Sequence, residues 1–70
     1  MPIVRIDLLE GRPSSVKAEL MAQVTNAVVT TLGVDAEQVR VVLYEIPLEH
    51  WSVGGITKAE SSRQHLKEEQ

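Results

Sequence analysis

Val39-Arg40-Val41-Val42-Leu43-Tyr44-Glu45-Ile46 is apolar on both faces. On the two-residue period of an extended chain, Val39, Val41 and Leu43 point one way, and Val42, Tyr44 and Ile46 the other. Strands that read like this are covered on both sides, as in a parallel sheet. Upstream lies a second run of the same character, Ile3-Val4-Arg5-Ile6-Asp7-Leu8-Leu9. There Val4, Ile6 and Leu8 share one face, with Ile3, Arg5, Asp7 and Leu9 on the other. Between the two runs, Glu10-Gly11-Arg12-Pro13 breaks the strand pattern. Ser14 or Ser15 is suited to cap a helix, and apolar residues follow at Val16, Leu20, Val24, Ala27 or Val28, and Leu32. That is the spacing of one buried helical stripe, with Lys17, Glu19, Gln23 and Asn26 mostly on the other side. Gly33 falls where a left-handed C-terminal cap belongs.

Strand, helix, strand in this order makes a right-handed β-α-β unit with parallel strands. One helix covers one face of a two-stranded sheet, so the second face is expected to meet another subunit. Downstream, Trp51 to Thr57 contains Gly54-Gly55 and reads as a short hairpin. Lys58 to Gln70 is polar and charged, the composition of a mobile tail or of an arm ordered only by a neighbour. The expected fold is therefore α/β: a small β-α-β domain with a short C-terminal hairpin over residues 1–57, a polar tail over 58–70, and assembly as an oligomer. No internal repeat or low-complexity tract interrupts it.

Composition points the same way. A chain of 70 residues buries only about 60% of the surface that its unfolded form exposes, and small folds offset that with disulfides, a metal or assembly. There is no cysteine, which removes disulfides and thiolate zinc sites. The two histidines, His50 and His65, stand far apart in unrelated segments, so no metal site is expected. An apolar content of 43% makes assembly the natural solution. The net charge of −3 argues against nucleic acid, whose binding rests on basic patches. No apolar run approaches the ~20 residues that span a bilayer, and the amino terminus lacks the pattern of a signal peptide. A cytoplasmic protein is the expectation.

Four residues could carry chemistry. Pro2 follows the initiator Met1, which is normally removed when the second residue is small. Removal would leave a secondary amine in place of an ordinary α-amino group of pKa about 7.7–8.0. Burial and nearby cations lower such a pKa by disfavouring the protonated form, and a base poised near neutrality suits proton abstraction. The plainer reading is a proline that merely starts a strand. Arg12 sits in the loop after the first strand, and Arg40 in the second strand on the face of Val42, Tyr44 and Ile46. A guanidinium there needs something anionic. It grips a carboxylate with two hydrogen bonds, either of a ligand or of a glutamate such as Glu45 or Glu10. Trp51 either plugs a small core or forms an apolar wall of a site. Neighbouring His50 invites an acid–base role but reads equally as an exposed turn residue, and Tyr44 reads as packing. No phosphate loop or triad spacing is present.

Taken together, Met1-Pro2-Ile3, Leu9-Glu10-Gly11-Arg12, Val39-Arg40-Val41 and His50-Trp51-Ser52-Val53-Gly54-Gly55 closely resemble the 4-oxalocrotonate tautomerase family, in order and in spacing over residues 2 to 57. The resemblance implies a cofactor-independent isomerase in which Met1 is cleaved and Pro2 is the general base. It would carry a proton from the enol oxygen of a 2-hydroxydienoate, such as 2-hydroxymuconate, to a carbon, giving the conjugated ketone. Arg40 would hold the near carboxylate and carbonyl oxygen, and Arg12 the distal carboxylate. The backbone of Leu9 would place the substrate, and Trp51 would stand where the family commonly has phenylalanine. Such a protein would be a homohexamer, a trimer of dimers with arginines supplied across boundaries, acting on a small enol or keto acid in aromatic catabolism or a biosynthetic cluster.

The resemblance is looser in places. Val4-Arg5-Ile6-Asp7 has no close match in the family's first strand, and Arg5 is a further cation that could compete for carboxylates. No role is carried to Arg63. Relatives on this scaffold include dehalogenases and decarboxylases, in which the counterpart of Pro2 acts as an acid in protonated form beside an extra carboxylate; the second enzymatic option here is hydration or dehalogenation of an unsaturated acid, with Glu10 and Glu45 as candidates for that carboxylate. A chain that keeps the fold only as an assembly or ligand-binding module is the non-enzymatic alternative.

Overall fold

The computed structural model describes residues 1–62. Strand β1 (Ile3–Leu9) leads to helix α1 (Ser14–Leu32), a single 3₁₀ turn (Ala36–Gln38) and strand β2 (Arg40–Ile46). A second 3₁₀ turn (Leu48–His50) precedes a hairpin of β3 (Ser52–Val53) and β4 (Ile56–Thr57). β1 and β2 pair in parallel, from Ile3 opposite Arg40 to Leu9 opposite Ile46, and β3 pairs antiparallel with β4. The expected β-α-β unit with its terminal hairpin is the fold observed. Residues 58–62, the start of the segment read as a polar tail, are helical. The remainder of that segment, with Arg63 and His65, lies outside the described residues.

The entry to α1 differs from expectation. The capping residue is Pro13, extended at φ −62°, ψ 154°, with no side-chain cap, and Ser14 and Ser15 are the first two helical residues. The ring already holds φ at a value compatible with the helix. The Pro13 carbonyl accepts from both Val16 and Lys17 at 3.2 Å, so the backbone closes the first turn without a serine hydroxyl. At the other end Gly33 is left-handed as expected, φ 69°, and its N–H reaches the Val29 carbonyl at 2.9 Å. In the hairpin, Gly54 and Gly55 both have positive φ, which a two-residue connection matching the strand twist requires.

The half-buried residues of α1 are Lys17, Leu20, Met21, Val24, Thr25, Val28 and Val29, a stripe of steps of three and one. Val16 and Leu32, expected in that stripe, are 50% and 60% exposed. The cause is length. Nineteen helical residues run about 28 Å, and strands of seven only about 23 Å, so the helix overshoots the sheet and its ends have nothing beneath them. Lys17, expected on the solvent side, turns inward and its Nζ lies 2.7 Å from Glu45 Oε1.

The opposite face of the sheet is bare. Ile3, Arg5 and Asp7 of β1 and Arg40, Val42 and Tyr44 of β2 are all exposed, Ile3 at 69% and Tyr44 at 46%. Among the described residues only Val39 is buried, at 8% exposure. The radius of gyration is 16.4 Å, where a compact domain of this length would have about 11 Å. The protomer has secondary structure and register but hardly a core. No helix among the described residues is long and apolar enough to cross a membrane.

Candidate active site

Pro2 stands just before β1 and is half-buried. Its carbonyl accepts the Arg40 N–H at 3.0 Å, which extends the β1–β2 pairing one residue ahead of the strand. The sheet itself thereby fixes the proline beside Arg40. With Met1 attached, the Pro2 nitrogen is an amide, and the pairing uses the carbonyl alone. The Arg40 side chain turns back to the preceding 3₁₀ turn, where Nη1 donates to the Glu37 carbonyl at 2.6 Å. That turn is in turn closed by the Asp35 N–H donating to Gln38 Oε1 at 3.1 Å.

Leu9 and Arg12 form a second group. Arg12 Nη1 donates to the Leu9 carbonyl at 3.2 Å, and the Glu10 N–H reaches the Ile46 carbonyl at 3.0 Å, carrying the pairing one residue past β1. Among the described residues neither Arg12 nor Arg40 pairs with a carboxylate; the ion pairs are Arg5–Asp7 and Lys17–Glu45. Among the described residues, then, a glutamate partner is not what occupies these two guanidinium groups. Both hold backbone carbonyls and keep donors available to an incoming anion.

The two groups are not brought together. Pro2 and Leu9 are seven strand residues apart, about 23 Å, so one protomer carries Pro2 with Arg40 at one end of the sheet and Leu9 with Arg12 at the other. Glu10 and Glu45 also lie at the Arg12 end, Glu45 being opposite Leu8. Trp51 follows β2 out of that same end, half-buried. Its carbonyl accepts the Lys58 N–H at 2.7 Å, which ties the base of the hairpin to the helical residues beyond it. His50 is exposed. Clefts among the described residues include one of about 330 Å³ lined by Ser14, Lys17, Met21, Leu43 and Glu45 and one of about 280 Å³ lined by Val53, Ile56, Lys58 and Ser61. Neither contains Pro2, Leu9, Arg12, Arg40 or Trp51.

Sequence reasoning missed one cluster. The Arg5 guanidinium lies over the Tyr44 ring, 4.2 Å from its centroid, and its Nε is 3.4 Å from Asp7 Oδ1. Tyr44, read as packing, is a platform for a cation. The signal was available in part: Arg5 and Asp7 are two apart on a strand and so share a face. That Tyr44 falls opposite Asp7 requires the register.

Comparison with known proteins finds relatives along most of the chain. A family model described as Tautomerase enzyme matches residues 2–61. The chain is 35% identical over 63 residues to the 2-hydroxymuconate tautomerase of Comamonas testosteroni, covering 90% of this chain and all of that one. A solved structure of a 4-oxalocrotonate tautomerase isozyme of Methylibium petroleiphilum superposes with a TM-score of 0.85 at 43% identity, covering 90% of this chain and 98% of that one. A heterohexamer 4-oxalocrotonate tautomerase of Chloroflexus aurantiacus gives a TM-score of 0.80 at 42% identity, over 86% of this chain and 97% of that one.

Proposed function

The chain belongs to the tautomerase family, and from that premise we propose that it converts a 2-hydroxydienoate-type enol acid, resembling 2-hydroxymuconate, to its conjugated ketone. The observation that carries the reading is the 3.0 Å bond from the Arg40 N–H to the Pro2 carbonyl. It holds the residue that would become the amino terminus against an arginine with no carboxylate partner among the described residues.

In this reading Met1 is removed and the Pro2 nitrogen becomes a secondary amine. It takes the proton from the enol oxygen; the C–O bond gains double-bond character, and the electron pair displaced along the diene takes a proton back from the prolyl ammonium at carbon. The Arg40 guanidinium disfavours protonation of the resting amine. It also holds the near carboxylate and stabilises the charge developing on the dienolate oxygen, usually the largest catalytic contribution. No cofactor takes part.

The distal carboxylate needs a second cation, and geometry constrains its source. Five carbon–carbon bonds span less than roughly 8 Å end to end, whereas the Arg12 end of the same strand is about 23 Å from Pro2. Arg12, the Leu9 backbone and the Trp51 wall would therefore serve the Pro2 of another copy. The nearly coreless protomer favours such assembly, and the homohexamer, a trimer of dimers, is the form proposed, in keeping with the hexameric relative from Chloroflexus aurantiacus.

The test is ketonisation of 2-hydroxymuconate followed by ultraviolet absorbance, with intact mass recorded on the same sample. Activity well above buffer in a protein that has lost Met1 supports the reading. A protein with a free Pro2 and no activity on this acid would sink the substrate assignment, and one that retains Met1 would sink the catalytic role of Pro2.

A further inference from the structure

The 3₁₀ turn Ala36–Gln38 ends in a carbonyl that its own backbone does not satisfy. Within the turn, the Gln38 N–H donates to the Asp35 carbonyl at 3.0 Å, and the Val39 N–H to the Ala36 carbonyl at 3.1 Å. The next bond of that series would run from the Arg40 N–H to the Glu37 carbonyl. The sheet takes that donor instead, because the Arg40 N–H goes to the Pro2 carbonyl at 3.0 Å. Glu37 is left with an orphan carbonyl of the kind found at helix C-termini. The Arg40 side chain returns a donor to it, Nη1 lying 2.6 Å from the Glu37 oxygen. One residue thus gives its backbone to the sheet and the tip of its side chain to the turn.

What fixes the turn therefore fixes the guanidinium. Among the described residues Val39, which follows the turn directly, is the one that is buried, at 8% exposure. At the other end Gln38 reaches back, and its Oε1 accepts the Asp35 N–H at 3.1 Å. Asp35 and Gln38 are thus joined by two bonds, one from each backbone N–H, the reciprocal closure that Gln or Glu gives at the third position of a helical turn. The acceptor this turn presents also matters. A carbonyl holds a guanidinium without neutralising it, and among the described residues it takes one of the five N–H donors and leaves the rest for an anion. We propose that Gln38 is a positioning residue for Arg40. Its bond to Asp35 sets the turn, the turn aims the Glu37 carbonyl, and that carbonyl holds the guanidinium in the orientation that meets the near carboxylate and the dienolate oxygen. The inference rests on the role given to Arg40 in the functional reading above, and adds to it the element that directs the charge.

Two substitutions separate the bond from the bulk of the side chain. Gln38→Met keeps the length and loses the acceptor, whereas Gln38→Glu keeps the acceptor, as this position of a capping box allows. Gln38 is exposed, so circular dichroism should show both variants folded. For ketonisation of 2-hydroxymuconate, kcat is expected to fall about fivefold in Gln38→Met, the population shift that loss of one ordinary hydrogen bond permits, and to stay within about twofold in Gln38→Glu. In a chain already carrying Arg40→Ala, Gln38→Met should change nothing further, because the two residues act along one path. A merely structural role would lower both backgrounds alike. NMR of the arginine side-chain nitrogens, with Arg40→Ala identifying the Arg40 signals, reads the clamp without substrate. Rotation of the Arg40 guanidinium should quicken by about threefold in Gln38→Met and hold steady in Gln38→Glu. Unchanged rotation in Gln38→Met would overturn the clamp. An undiminished kcat, or a loss equal in both backgrounds, would overturn the positioning role even where the rotation changes. An original chain with a free Pro2 and no ketonisation would sink the reaction and the positioning role with it, while the rotation still decides whether the turn holds Arg40.

Discussion

The two ends of β1 are built by different means. At the Pro2 end the backbone does the work: the Arg40 N–H bonds the Pro2 carbonyl, so the proline is positioned by the pairing that makes the sheet. At the Leu9 end the strand leaves through Glu10 and Gly11, and Arg12 is placed by one side-chain bond to the Leu9 carbonyl at 3.2 Å. The first arrangement cannot be lost without losing the sheet. The second hangs on a single exposed hydrogen bond, of the order of 1 kcal/mol, and leaves Arg12 free to reorient toward a ligand. In the mechanism proposed above, the general base, whose placement matters most, is at the first end, and the electrostatic grip on a remote carboxylate, which tolerates looser placement, is at the second.

The largest expected effect breaks the first end. Pro2→Ala keeps an amine after Met1 removal but makes it primary and shifts it, and the rate of ketonisation should fall by about 10²–10⁴-fold, the range assigned to a positioned acid–base group. Arg40→Ala comes next. The backbone N–H that bonds Pro2 remains, so the change removes the guanidinium and leaves the pairing. Steady-state kinetics should give a kcat lower by about 10²-fold, comparable to removing one donor to a developing oxyanion. A fall carried wholly by KM would refute that role.

Arg12→Ala should act more mildly, raising KM and lowering kcat together by about tenfold each, since a cation on the far carboxylate both binds the substrate and draws the charge developing in the transition state toward it. The comparison is sharpened by mixing. If Pro2 and Arg12 serve one site from different copies, chains bearing Pro2→Ala and chains bearing Arg12→Ala, unfolded and reassembled together, should regain on the order of a quarter of the original activity, because random assembly rebuilds that share of sites. A mixture no more active than the mean of its parts would place both residues of a site on one chain. The smallest effect lies far from both ends. Gly33→Ala puts a side chain at φ 69° and should lower stability by roughly 1–2 kcal/mol, measured by denaturation at fixed protomer concentration, with kcat unchanged.

Much of this was legible in the chain. The two strands, the helix between them and the left-handed Gly33 follow from local periodicity and one residue's steric freedom, both of which survive without knowledge of the fold. Pro2, Arg12 and Arg40 could be named as candidates from their chemistry, an amine on removal of Met1 and two guanidinium groups in or beside apolar strands, and it was the family resemblance that joined them into one reading. The inward turn of Lys17 toward Glu45 could not be read, because the two are 28 residues apart and their contact depends on how the helix crosses β2. Val16 and Leu32 carried the helical period but not the length of the sheet below them. Tyr44 looked like core until the register set it opposite Asp7 and under Arg5.

By itself, then, the sequence determined the two long strands, the helix between them, the terminal hairpin and their order, since these depend on interactions within a few residues. Only the tertiary structure decided that Pro2 lies against Arg40, that Arg12 lies a strand's length away, and that one face of the sheet is left bare with a cation and an anion upon it. Those facts depend on which residue of β1 meets which residue of β2. A shift of register by one would reverse every face, and no local pattern in either strand specifies the other's position.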